Sequence, residues 1–316
     1  MYREAIKVLD CTIRDGGLIN DHYFEDSFVK AVYRAIAASG VDYMEIGYKA
    51  SKELLAPTKF GKWKFCDENE IKKIIDGVEN RPKLSVMCDI GRVEKSDIPP
   101  KKDSVIDMIR VATYVKEVDK AIDLVNDFVD KGYETTVNIM AVSKAQDNEL
   151  DEALDQLERE SRTGVVYIVD SFGYYYQEHI TYLAAKFKKY LKTKELGIHM
   201  HNNQQLGFSN TIQGIIEGCN YLDATIYGIG RGAGNCPMEL LIGFLKNPKF
   251  DIRPILEVIS KEFLPLLKTM EWGYIIPYAI TGMLNEHPRS AIAVRSTPDK
   301  DNYVKFLNSL SAVEVD

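Results

Sequence analysis

Cysteine is scarce: the five residues Cys11, Cys66, Cys88, Cys219 and Cys236 are scattered, odd in number and form no CxxC pair. That argues against a disulfide framework or a thiolate zinc module, and it fits a reducing compartment. Long apolar runs are missing too. Nothing approaches the roughly 18 apolar residues of a membrane span, and the opening MYREAIKVLDCTIRDGG holds no stretch of signal-peptide length. Positive charge is in the minority, with 40 Lys and Arg against 47 Asp and Glu and a net charge of -7. Such a balance disfavours a general nucleic-acid binder or a binder of anionic membranes. The expected setting is cytoplasmic, with no nucleic-acid and no membrane partner.

What is present suffices for a large core: 316 residues, 45% of them hydrophobic. Short runs rich in β-branched and aliphatic residues, namely IKVLDCTI, VDYMEIGY, KLSVMCDI, DMIRVAT, ETTVNIMAV, GVVYIVDSF, LGIHMH and YLDATIYGI, predict eight strands. Between them, residues 26–39, 68–78, 118–131, 148–160, 177–191 and 207–218 carry helical periodicity. Val118, Ile122, Val125 and Val129, for example, form an apolar stripe opposite Lys120, Asp123 and Asp127. Strand and helix units in series predict an α/β protein, a (β/α)8 TIM barrel over residues 1–250 with a short C-terminal helical extension over 251–316. Segments 50–64 and 91–103 read as long βα loops, on the face where barrels place their active sites.

Three segments carry chemistry. At the end of the first strand, DCTIRDGG combines charge with glycine; strand alternation places Asp10, Thr12 and Arg14 on one face, toward the barrel interior. At the end of the seventh, His199-Met200-His201 contains two of only five histidines. Residues i and i+2 on a strand share a side, so both imidazoles can converge on one ion. After the eighth comes Gly228 to Asn235, GIGRGAGN, a compact backbone loop without the GK[ST] of a phosphate loop. Ring closure makes strand eight the neighbour of strands one and seven, so Asp15, His199, His201 and Asn235 can meet. Two imidazole nitrogens, a carboxylate and an amide oxygen suit a borderline-to-hard divalent ion.

Taken together, DCTIRDGG, HMHNNQQLGFSN and GIGRGAGN, in that order across roughly residues 5–245, resemble the DRE-TIM metallolyases. This HMG-CoA lyase-like superfamily includes 4-hydroxy-2-oxovalerate aldolase, hydroxymethylglutaryl-CoA lyase, isopropylmalate synthase and homocitrate synthase. The continuation Asn-Cys-Pro-Met-Glu-Leu is similar to the aldolase branch rather than to the acyl-CoA synthases, whose loop carries a Glu-Arg pair. The resemblance implies a class II pyruvate aldolase, a carbon-carbon lyase that interconverts a 4-hydroxy-2-oxo acid with pyruvate and an aldehyde. It implies Asp15, His199 and His201 as metal ligands, with Asn235 as the fourth, and Arg14 on the enolate oxygen. Mn2+ or Mg2+ is the implied ion; Co2+ and Zn2+ also fit the ligand set.

The proton-transfer group departs from the family pattern. Aldolases of the 4-hydroxy-2-oxovalerate type carry a histidine shortly after Arg-Asp-Gly, where this chain has Leu18. His22 ranks first as its substitute, then Tyr278 from the C-terminal helices, with Glu45 near the same mouth at the end of strand two. Asp89, Arg110, Asn138, Asp170 and Ser171, each at a predicted strand end, read as a polar network around that mouth. Two other readings compete. One is an acyl-CoA-dependent Claisen lyase or synthase, with Lys49, Lys52, Lys59, Lys62 and Lys64 as candidate CoA contacts. The other is a catalytically silent, metabolite-binding barrel. The expected partners are a small-molecule 2-oxo acid and an aldehyde, together with further copies of the chain in a homo-oligomer. For the oligomer, Phe263, Leu264, Leu266, Leu267, Met270 and Trp272 offer apolar surface or else cover the barrel. Family aldolases that dock a dedicated acylating aldehyde dehydrogenase do so through a longer C-terminal region. Only about sixty residues follow Pro254, which argues against that partner.

Overall fold

Eight parallel strands close into a barrel in sequence order: β1 (Lys7–Asp10), β2 (Tyr43–Tyr48), β3 (Lys83–Asp89), β4 (Met108–Tyr114), β5 (Glu134–Met140), β6 (Val165–Asp170), β7 (Glu195–Met200) and β8 (Tyr221–Ala224). The computed structural model describes residues 3–311. Closure is made by β1 against β8, with Leu9 opposite Asp223 and Asp10 opposite Ala224. This is the (β/α)8 barrel that the alternating pattern predicts, and it places the C-terminal ends of β1, β7 and β8 side by side.

The end of β1 differs from the expectation. The strand stops at Asp10, and Thr12–Gly16 coils into one helical turn, α1. Thr12 forces the change: its hydroxyl donates to Asp10 Oδ1 at 2.5 Å and accepts the Ile226 amide at 2.8 Å, pinning the turn against the chain leaving β8. Alternation along a strand would send Arg14 and Asp15 to opposite sides of the sheet. On a helical turn both reach the same cavity.

The outer helices are α2 (Asp26–Ala38), α3 (Glu68–Ile75), α4 (Val118–Asp130), α5 (Asp147–Glu160), α6 (Gln177–Tyr190), α7 (Gly207–Ile216) and α8 (Met238–Leu245). Each turns an apolar stripe onto the barrel; in α4 the buried residues are Val118, Ala121, Ile122, Val125 and Phe128. The crossover from β3 to β4 carries no α-helix, only the 3-10 turns Lys95–Asp97 and Lys101–Asp103. Pro99 and Pro100 lie between these turns, and two missing amide donors with fixed φ keep the segment from coiling further.

A helical extension follows: α9 (Arg253–Val258), α10 (Leu264–Leu266), α11 (Ile276–Met283), α12 (Arg289–Arg295) and α13 (Tyr303–Ser311). Its apolar residues divide. Phe263 and Trp272 are buried, whereas Leu264 and Leu267 are 45% and 37% exposed. A small second core of Ala233, Tyr278, Ile280, Ala291 and Phe306 joins this extension to the glycine-rich loop after β8. No helix of the described residues is long and apolar enough to cross a membrane.

Candidate metal centre and substrate cavity

Asp15, His199 and His201 each offer one ligand atom, and these atoms lie within 4.8 Å of one another. Their surroundings set the tautomers. His199 Nδ1 lies 2.9 Å from Asp223 Oδ2, and His201 Nδ1 lies 3.2 Å from the Gly234 carbonyl oxygen. An N–H directed at an oxygen on one side of each ring leaves the Nε2 lone pair free, which is how histidine ligands are oriented. Burial opposes ionisation of Asp15, but the adjacent Arg14 guanidinium and both imidazoles hold its carboxyl well below the usual range. Burial pushes His201 down to about 3, keeping it neutral. Burial works the same way on His199, yet Asp15 and Asp223 outweigh it and raise its pKa.

Both Asp15 carboxylate oxygens and Asn235 Oδ1 are buried without a hydrogen-bond partner. The closest approaches to Asp15 are Arg14 Nη1 at 3.1 Å and His199 Nε2 at 3.4 Å. Asp15 has only these ion-pair contacts and Asn235 Oδ1 has no partner, so beside two oriented imidazoles they leave a gap that a cation would fill. The donor set therefore fits a divalent ion. The glycine-rich loop brings Asn235 back to His201, with which it forms an antiparallel bridge. Gly234 makes that return possible: at φ +77° a Cβ would stand 1.9 Å from the Gly228 carbonyl oxygen.

Beneath the ligands runs a closed circuit of buried charge. Arg14 Nε donates to Glu45 Oε2 at 2.7 Å, and Arg110 Nη1 donates to the same oxygen at 3.0 Å. Arg110 Nη2 reaches Asp223 Oδ2 at 2.5 Å, and Asp223 returns to His199. The guanidinium of Arg110 also lies 4.5 Å from the centre of the Tyr167 ring. Gly197 admits that ring, because a Cβ there would fall 2.6 Å from it. Arg110 thus sits in the barrel interior at mid-strand, not at the mouth. Arg110→Met takes the shared cation from Glu45 and Asp223, leaving each with one partner, Arg14 and His199, and the expected loss is about 3–5 kcal/mol of stability, read by urea denaturation. A loss below about 1 kcal/mol would show that the circuit does not hold the barrel together.

Above the circuit opens a cavity of about 90 Å³ whose wall includes Arg14, Asp15, His199 and His201. Leu18, Tyr48, Asn138, Ser171 and Arg231 complete its chemically distinct surface. The three sequence candidates for proton transfer are not on this wall. His22 is buried, its ring edge-on to Tyr48 at 5.2 Å and its Nδ1 without a partner. Burial, with Lys64 and Arg14 nearby, pushes it down to about 3. Glu45 is fully buried, and its Oε2 accepts from both Arg14 and Arg110. The Tyr278 hydroxyl points to Glu271 Oε1 at 3.2 Å, and burial raises its pKa to about 12. Tyr278→Phe is expected to keep turnover within about threefold and to cost about 1 kcal/mol of stability, since one hydrogen bond is lost. A hundredfold fall in kcat would restore the residue to the reaction.

Of the five candidate CoA-contact lysines, all but the exposed Lys59 are engaged with other groups. Lys52 pairs with Asp67, and Lys62 with Asp26 and Glu70. Lys49 Nζ donates to the Cys66 carbonyl oxygen, and Lys64 is buried with its Nζ 3.6 Å from the Tyr48 ring centre. Asp170 accepts the Tyr174 and Tyr175 amides and shapes the loop after β6.

Sequence reasoning missed Asp223, Tyr48 and Arg231. Asp223 left a signal, a carboxylate inside the apolar strand YLDA that needs a buried partner. Tyr48 and Arg231 left none, since exposed strand-end tyrosines and loop arginines look the same in sequence.

A closed barrel with an Asp-His-His cluster over its C-terminal face defines a candidate metal-centred barrel enzyme. The HMGL-like family profile matches residues 5–259, and the chain belongs to that family. Its relatives include an oxaloacetate decarboxylase from Mycobacterium tuberculosis, 27% identical over 253 residues that cover 78% of this chain and 71% of the relative. A 4-hydroxy-2-oxovalerate aldolase from Thermus thermophilus is 27% identical over 264 residues, covering 82% and 75%. Among solved structures, the N-terminal domain of a "putative aldolase" from Bacteroides vulgatus superposes with a TM-score of 0.79 at 28% identity. The match covers 95% of this chain and 100% of that one. HMG-CoA lyase from Brucella melitensis, at 13% identity and a TM-score of 0.66 over 84% of this chain and 99% of its own, shares the fold.

Proposed function

We propose that this protein is a divalent-metal-dependent lyase that makes or breaks a carbon-carbon bond next to a pyruvate-type enolate. In the favoured direction of writing, a 4-hydroxy-2-oxo acid yields pyruvate and an aldehyde. The observation that carries the reading is the convergence of Arg14, Asp15, His199 and His201 on one cavity. The names of the two relatives point to the same intermediate, because aldol cleavage of a 4-hydroxy-2-oxo acid and decarboxylation of oxaloacetate both leave the pyruvate enolate.

Asp15, His199 and His201, with Asn235 Oδ1, would hold the ion; Mn2+ or Mg2+ suits the oxygen share of the set. When bound, it supplies Lewis acidity toward the 2-oxo acid. Arg14 contributes a fixed cation where negative charge gathers on the enolate oxygen, and its ion pairs with Asp15 and Glu45 fix its orientation beforehand. In cleavage the C3–C4 electron pair moves into the enolate, the C4 hydroxyl loses its proton, and C3 gains one. Tyr48 is the wall residue suited to give that last proton, because burial raises its phenol pKa and keeps it protonated.

The test is proton NMR of pyruvate in D2O with purified protein, with and without Mn2+. Metal-dependent loss of the methyl signal is the expected result. No exchange, with pyruvate alone or with a saturating aldehyde present, would overturn the enolate reading.

A further inference from the structure

Arg231 stands out among the charged cavity residues by making no ion pair with a carboxylate. Arg14 and Arg110 are both ion-paired. Arg231 has no carboxylate partner among the described residues: Nη2 donates to the Ser171 carbonyl oxygen at 3.2 Å, and Nη1 lies 3.3 Å from His287 Nε2. Its Nε is buried with no partner at all. His287 supplies no negative charge, and burial, with Arg231 and Arg289 beside it, pushes its pKa down to about 4. A half-buried guanidinium whose Nε is shielded from water with no acceptor is a costly arrangement.

The scaffold goes to some length to keep it there. Arg231 lies in the glycine-rich loop, whose Gly232 has φ +64°. Ser171 comes from the end of β6, and His287 from the segment between α11 and α12. Three parts of the chain distant in sequence thus hold one cation on the cavity wall, with donor positions still free. In the reading proposed above, a mono-acid's single carboxylate would go with its 2-oxo group to the metal ligands and Arg14, and Arg231 would gain no anion.

We propose that Arg231 binds a second carboxylate, so that the 2-oxo acid this site accepts is a diacid, its second acid group remote from the 2-oxo head. The proposal rests on the 2-oxo acid reading above. A planar guanidinium whose Nε has no partner matches a carboxylate side-on.

Calorimetric titration of the Mn2+-loaded protein with length-matched pairs tests this without turnover: 2-oxoglutarate against 2-oxovalerate, and 2-oxoadipate against 2-oxohexanoate. At least one diacid is expected to bind about tenfold or more tightly than its mono-acid partner. Arg231→Gln should erase that preference while leaving the mono-acid Kd within about threefold, and Arg231→Lys should restore part of it. Equal affinity within both pairs in the unmodified protein overturns the proposal, whatever the variants do. So does an Arg231→Gln change that weakens mono-acid and diacid alike. Pyruvate proton exchange separates the two readings. Exchange without diacid preference removes only the clamp, and diacid preference without exchange removes only the enolate chemistry. Failure of all four acids to bind counts against both.

Discussion

Arg14→Ala lowers metal-dependent exchange of the pyruvate methyl protons by about 10²- to 10³-fold, the loss expected when one preorganised donor to a developing oxyanion is removed. Bound Mn2+, measured by elemental analysis after dialysis, stays near one per chain, because Asp15, His199 and His201 remain in place. Arg14→Lys recovers little, since Arg14 uses Nε toward Glu45 and Nη1 toward Asp15 at once, and an ammonium on a flexible stem has no such fork. The variant also loosens the buried circuit, so its thermal stability is read beside that of Arg110→Met. A catalytic loss with a smaller stability loss than Arg110→Met marks a role in the reaction. Full exchange activity in Arg14→Ala would remove the residue from the chemistry.

His201→Ala is expected to weaken the proposed metal site. One imidazole of three close ligands is lost, and the expected result is an Mn2+ affinity more than about 100-fold weaker, with exchange activity falling in parallel and returning only at high Mn2+. Asp223→Asn is the graded companion. Its side chain no longer fixes the His199 tautomer through a charged acceptor, and a weakening of about 10- to 100-fold is expected. An Asp223→Asn protein with unchanged Mn2+ affinity would show that His199 needs no orienting carboxylate. A His201→Ala protein with unchanged affinity would move the metal site elsewhere.

The elements were legible because period and composition act locally. The α4 stripe from Val118 to Val129 needs only its own sequence to declare a helix, and the strand runs needed only theirs. The HxH pair was legible for the same reason, since two residues apart on a strand means one side. The turn at Thr12 was not. Its cause is a hydrogen bond from Ile226, 214 residues away, and no local pattern encodes it.

The surroundings of the proton-transfer candidates come from the tertiary structure. His22, Glu45 and Tyr278 have the right chemistry, but a side chain's work is set by what it faces. His22 faces Tyr48, Glu45 faces two arginines, and the Tyr278 hydroxyl faces Glu271. Asp223 and Arg231 take their importance from the opposite circumstance. Barrel closure sets Asp223 against His199, and packing of the extension onto the glycine-rich loop places His287 beside Arg231. The amino-acid sequence by itself determined the barrel and set His199 and His201 at the end of β7, because periodicity and residue chemistry are properties of short segments. Which of the charged groups are paired, and which stands unpaired at the cavity, only the tertiary structure decided, because pairing depends on distances between segments that the chain brings together only when the barrel closes.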